Sequence, residues 1–127
     1  PNGLALSPNE KILYVNQSDN NAPYIMAYNV QADGSLDAGT IFFDASALRK
    51  EGLVGSLDGI KVAKDGTIFS TGPGGLLIIT PKGKLLGRIE TGQRTANCAW
   101  GDDGSTLYMT AHEFLIRIKT KTTGTGF

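Results

Sequence analysis

The chain has 127 residues, enough for one domain whose core covers roughly two thirds of its unfolded surface. Twelve basic and twelve acidic residues cancel, so there is no broad positive field for nucleic acid or an anionic membrane. One cysteine, Cys98, excludes an internal disulfide and a multi-thiolate metal site, and no apolar run approaches the roughly 18 residues of a membrane span.

In chain order the sequence reads as β-strands separated by tight turns. Gly3 to Ser7 and Lys11 to Asn16 form the first pair, joined at Pro8-Asn9-Glu10. Tyr24 to Val30 is rich in aromatic and branched residues and closes on Ala32-Asp33-Gly34-Ser35, a strong hairpin signal. Thr40 to Phe43 is the fourth strand. A single helical turn is the alternative over Ala45 to Gly52, with Ser46 as cap and Gly52 as stop. Four further strands follow at Ile60 to Ala63, Thr67 to Thr71, Leu76 to Thr80 and Leu85 to Glu90. The Gly72-Pro73-Gly74-Gly75 segment between two of them lacks the Lys and following helix of a phosphate loop and reads as a tight turn. Cys98 to Trp100, Thr106 to Thr110 and Phe114 to Lys119 complete the chain, with Arg117, Lys119 and Lys121 alternating to one solvated face.

One plan recurs through these strands: a polar Asn or Asp, a short strand, a turn and a second strand. It starts at Asn2, at Asp58 and at Asn97, and repeats on this scale signal solenoids, propellers or arrays. The first interval is the longer, with Gln17 to Pro23 and Ala45 to Gly55 as insertions. Antiparallel strands grouped by four, each group opening on a polar residue, give an all-β chain with the blade plan of a β-propeller. The blades are residues 1–56, 57–95 and 96–127, nearly three in number, and the third lacks its fourth strand. Propellers close at about four to eight blades, so a larger ring is expected. The opening on Pro1 rather than Met points the same way, to an upstream part. No charged start followed by an apolar segment marks a signal peptide, and a soluble protein of the cytoplasm or of an exported compartment fits equally.

Pro1-Asn2-Gly3-Leu4-Ala5-Leu6-Ser7-Pro8, Leu57-Asp58-Gly59-Ile60-Lys61-Val62, Thr71-Gly72-Pro73-Gly74-Gly75 and Ala96 to Asp103 resemble, in order, the blade motifs of the gluconolactonase and regucalcin (senescence marker protein) family. The resemblance covers essentially the whole chain and corresponds to the C-terminal half of such a protein. It implies a six-bladed propeller with one divalent ion, most often calcium, at the channel mouth, opening sugar-type lactones such as gluconolactone. It also places a metal-ligand Asn on Asn2, and a metal-ligand Asp that doubles as general base on Asp58. The family's first-blade Glu ligand, and the Arg and Asn that meet substrate in the middle blades, have no counterpart here. Activity is therefore expected of the full-length protein and not of these residues alone, and the missing N-terminal half is the expected partner.

The residue types agree on their own terms. Calcium and magnesium take oxygen ligands, which an Asp carboxylate and an Asn carbonyl supply. No Gly-x-Ser-x-Gly nucleophile elbow offers a covalent route. Asn97, at the same repeat position, either contacts substrate or bonds backbone at the blade start. His112 is a candidate substrate contact, or a solvated strand-end residue. An Asp-Gly or Asn-Gly pair is also a turn signal, and Asp33, Asp65 and Asp103 fit that reading. Trp100, Tyr14, Tyr108 and Phe69 read as blade packing. A non-catalytic or calcium-binding propeller, or a strictosidine synthase-like or paraoxonase-like enzyme, is the alternative. An acidic residue opening the first blade would separate the hydrolase from these.

Overall fold

Eleven strands and one short helix make up the computed structural model, which describes residues 1–127. The strands form three antiparallel sheets, each a blade. Blade 1 holds β1 (Leu4–Leu6), β2 (Ile12–Asn16), β3 (Tyr24–Asn29) and β4 (Thr40–Asp44), paired in that order. After the helix α1 (Ser46–Lys50), blade 2 pairs β5 (Ile60–Val62), β6 (Ile68–Gly72), β7 (Gly75–Ile79) and β8 (Leu85–Ile89). Blade 3 has three strands, β9 (Thr95–Gly101), β10 (Thr106–Ala111) and β11 (Phe114–Lys119). The innermost strands β1, β5 and β9 lie side by side, which makes the chain a segment of a β-propeller.

Blade 2 sits between the other two, and its sequence shows it. Strand β6 is buried at every position, because alternate residues face opposite neighbours. Ile68, with Leu77 and Ile79, packs with Tyr14, Ile25, Leu48, Leu57 and Ile60 in the core between blades 1 and 2. Phe69 and Leu76 turn the other way, onto Cys98, Leu107 and Met109 of blade 3. The Phe69 and Trp100 rings meet edge to face at 5.2 Å between centroids, and those of Tyr14 and Phe42 at 4.9 Å.

Blade 1 is unequal on its two faces. Cross-strand register lines up Leu4, Val15, Met26 and Ile41 on the face away from blade 2. Leu4 is 63% and Ile41 53% exposed, so an apolar row meets solvent.

Where blade 3 would have a fourth strand, the chain instead doubles back to blade 2. Lys64 donates its N–H to the Thr123 carbonyl (2.8 Å) and Gly124 bridges Ala63. The helix at Ser46–Lys50 forms, but the expected Ser46 cap is corrected. The Asp44 carboxylate accepts the Ser46 N–H (2.8 Å), and Ser46 is the first helical residue. Gly52, at φ +80, ends the turn as its sequence position suggests.

The Asp-Gly turns behave as read. Asp33, Asp65 and Asp103 each accept the N–H of the residue two further on, at 3.0, 2.9 and 3.0 Å, and the glycine between has φ of 82, 83 and 82. The Ser105 hydroxyl and N–H hold the Asp103 carboxyl down at about 2, and Ser35 lowers Asp33 in the same way. Because the folded values lie below the unfolded carboxyl value of about 3.9, this stabilisation is complete above about pH 4 and is lost as pH falls toward 2. Melting temperatures measured from pH 5 to pH 2 should show that acid limb, and it should be shallower in Asp103→Asn.

One buried polar side chain joins blades 1 and 2. Asn16, at the end of β2 and fully buried, donates to the carbonyls of Asp58 (2.9 Å) and Gly59 (3.3 Å) and exchanges hydrogen bonds with the Ser70 hydroxyl. It shares the inward face with Tyr14, so the alternation of β2 puts a polar group in the core only because partners await it. Asn16→Ala strands those partners and should lower stability by about 1–3 kcal/mol in urea unfolding.

Candidate functional site

The site grows from the way neighbouring blades meet at the starts of their inner strands. Gly3 donates its N–H to the Asp58 carbonyl (3.0 Å), and Gly59 donates to the Ala96 carbonyl (2.9 Å). A Cβ on Gly3 would overlap the Asp58 carbonyl oxygen, and one on Gly59 would overlap Asn97 Oδ1. Neither glycine has positive φ. What these two positions require is the absence of a side chain, so that one blade's backbone can lie against the next. The residues just before them, Asn2 and Asp58, are thereby fixed as neighbours.

Asn2 is exposed and Asp58 half-buried. The Asn2 Nδ2 donates to Ser18 Oγ (3.1 Å), and Ser18 Oγ donates to the Leu57 carbonyl (2.6 Å). Asn2 Oδ1 therefore carries no bond within the chain. The Asp58 backbone carbonyl is well used, accepting from Gly3 and Asn16, whereas its carboxylate accepts no hydrogen bond and joins no ion pair. Every other aspartate carboxylate, those of Asp19, Asp33, Asp37, Asp44, Asp65, Asp102 and Asp103, has a donor in the protein.

An uncommitted carboxylate and an uncommitted amide oxygen, on residues brought together by the Gly3 to Asp58 bond, are ligand types that suit a hard divalent cation. No group of three or more His, Cys, Asp and Glu side chains gathers to hold a metal. Asn2 and Asp58 supply two of the roughly six to eight oxygens that calcium takes.

Asn97 stands differently from the position expected of it. By the inter-blade hydrogen bonds, Ala96 in blade 3 takes the place of Asp58 in blade 2, and Asn97 takes the place of Gly59. Packing agrees, since Cys98 and Ile60 each turn toward the preceding blade. The common repeat position of Asn2, Asp58 and Asn97 is therefore corrected by one residue in blade 3. Asn97 Oδ1 accepts the Cys98 N–H (2.9 Å), while its Nδ2 has no partner. His112 is exposed in the β10–β11 turn at φ 54, its N–H bonded to the Arg94 carbonyl (3.0 Å) and its ring without a partner. Register puts the end of β10 beside the start of β9, so His112 and Asn97 share one end of blade 3.

Residues 1–113 match the family model described as the SMP-30/gluconolactonase/LRE-like region. A gluconolactonase of Zymomonas mobilis is 41% identical over 130 residues, covering 98% of this chain and 36% of that protein. Among solved structures, a gluconolactonase from Xanthomonas campestris superposes with a TM-score of 0.81 at 30% identity, over 94% of this chain and 37% of that one. A calcium-binding protein, regucalcin, from Agrobacterium tumefaciens shares the fold, with a TM-score of 0.71 at 22% identity over 99% of this chain and 47% of that one. The chain thus spans less than half the length of these relatives.

Two residues at the site carry no sequence signal of their own. Ser18 lies in an insertion, and Asn16 is marked only by its inward place in the alternation of β2. Cys98 is a packing residue. It is 3% exposed, its sulfur faces the Phe69 carbonyl, and burial pushes its thiol up to about 11, against an opposing pull from Lys61. Iodoacetamide at pH 8 should therefore modify the folded chain roughly a hundred-fold more slowly than the urea-unfolded chain, as followed by mass spectrometry.

Proposed function

This chain belongs to the SMP-30/gluconolactonase/LRE-like family, and from that membership we propose that it forms part of a metal-dependent hydrolase that opens sugar-type lactones such as gluconolactone. Lactone hydrolysis is supported at the level of the family by relatives named as gluconolactonases. The observation that carries the assignment to residues is the Asp58 carboxylate, left without a protein donor beside Asn2 while every other aspartate is bonded.

In this reading Asn2 Oδ1 and the Asp58 carboxylate hold a divalent cation, most simply calcium. When bound, the ion supplies Lewis-acid polarisation of the lactone carbonyl. Asp58 takes a proton from water as the water oxygen attacks the carbonyl carbon. The ring C–O bond then breaks and the ring oxygen leaves as the hydroxyl of the open acid, receiving a proton in turn. Asn97 Nδ2 and the His112 ring, both without partners, are donors available to the substrate's hydroxyls.

The remaining oxygen ligands and substrate contacts belong, on this proposal, to blades that precede residue 1 and cover the apolar row at Leu4 and Ile41. Residues 1–127 alone should then bind calcium weakly and turn over little lactone.

Asn2 and Asp58 separate on mutation, because Asn ligates but is no base at neutral pH. In the full-length protein, Asn2→Ala should weaken calcium binding, and excess calcium should restore part of the rate. Asp58→Asn keeps an oxygen of nearly the same shape and removes the base, a change of about 10² to 10⁴ in rate. Its gluconolactone turnover should stay low with calcium saturating. Near wild-type turnover of Asp58→Asn at saturating calcium would make the carboxylate a ligand only. Calcium binding with no lactone turnover in the unmutated protein would leave the calcium-binding propeller instead.

A further inference from the structure

We infer that Ser18 is a positioning residue that decides which atom of Asn2 faces the cation, an inference that rests on Asn2 being a ligand. The Leu57 carbonyl can only accept, so the single hydroxyl proton of Ser18 is committed to it at 2.6 Å. Ser18 Oγ then has only lone pairs to offer Asn2, 3.1 Å away, and the Asn2 atom that meets it must be the NH₂. An amide turned the other way would set two proton-less oxygens against each other. Oδ1 is left pointing away from Ser18 and free to accept a positive charge.

The relay matters because the two ends of an Asn amide are almost the same shape but opposite in polarity. An unsupported Asn2 would present its NH₂ to the cation much of the time, and each such orientation repels it. Leu57 immediately precedes Asp58, so the same two hydrogen bonds tie the amide ligand to the segment carrying the carboxylate ligand. The base of the relay is firm. Ser18 lies two residues past Asn16, whose buried amide is bonded to the Asp58 and Gly59 carbonyls. Ser18 thereby links the first insertion to the cation site through Asn2.

Partners of this kind, one bond removed from a metal ligand, typically change metal affinity by about 10- to 100-fold when removed. Calcium chloride titrated calorimetrically into the metal-free, full-length protein reads that affinity without recourse to turnover. Ser18→Ala should raise the calcium Kd by about ten-fold or more, with the melting temperature of the metal-free protein within a few degrees of wild type. Ser18→Thr keeps the hydroxyl and should hold the Kd within about three-fold of wild type.

The decisive arm is the pair of substitutions together. If Ser18 acts only through Asn2, adding Ser18→Ala to Asn2→Ala should cost no further affinity. A second, additive loss would show that Ser18 acts independently and would overturn the inference. So would a Ser18→Ala Kd equal to wild type beside a weakened Asn2→Ala, which removes the relay and keeps Asn2 as ligand. An unchanged Kd in Asn2→Ala removes the ligand reading, and the relay with it.

Discussion

The hydrogen bond from Gly3 N–H to the Asp58 carbonyl, repeated from Gly59 to Ala96, is the contact on which the arrangement of the blades rests. It requires two backbones to approach more closely than any side chain allows, since a Cβ on either glycine would overlap the neighbouring blade. Two consequences follow from one constraint. The inner strands are held side by side at one end, and the residue before each glycine is delivered to the same end of the sheets. Asn2 and Asp58 become neighbours across a sequence separation that no local element could span.

Blade 2 explains why this contact survives. Its sheet is buried on both faces, one against the core with Tyr14 and Ile25, the other against Leu107 and Met109. Each large side chain so buried is worth roughly 1.5–3 kcal/mol, about twice the net worth of a single hydrogen bond, and there are many of them. Hydrophobic packing therefore presses the blades together, and the polar bonds of Asn16, Ser70 and Thr71 decide their register. Thr71 Oγ1 donates to the Ala96 carbonyl (3.2 Å) on one side, as Asn16 Nδ2 donates to the Asp58 carbonyl on the other. The two blade junctions use different side chains for the same task.

Strand order, turn positions and the grouping by four were legible because period-2 burial and Gly-containing turns are local signals. The Asp-Gly pair shows where local signals stop. At Asp33, Asp65 and Asp103 it is a turn with a left-handed glycine, while at Asp58 the glycine has no positive φ and serves a close approach. Nothing in the dipeptide separates the two, and only the surrounding family motif did. The repeat position of Asn97 was misread for a related reason. Its neighbours copy the blade motif, yet the β9–β10 register moves the position of Asp58 onto Ala96, and a bulge beside Thr110 accompanies the shift. The Ser46 cap was misplaced because the Asp44 carboxylate, two residues earlier, accepts the Ser46 N–H and Ser46 itself enters the first turn. Ser18 was invisible, since a serine in an insertion gains meaning only from what lies across the blade junction.

The aspartates sort themselves by what they accept. A carboxylate at a turn lowers its own proton affinity by taking the N–H two residues on, and it is then neither a base nor a free ligand, as Asp103 at about 2 illustrates. Asp58 precedes a glycine whose N–H is given to another blade. Gly59 donates to the Ala96 carbonyl of blade 3, while Ile60 faces Ser70 in the β5–β6 register. The inter-blade bond that holds the fold thus also keeps one donor, the Gly59 N–H, from this carboxylate. The carboxylate keeps no donor within the chain, and any change that freed the Gly59 N–H would offer it one.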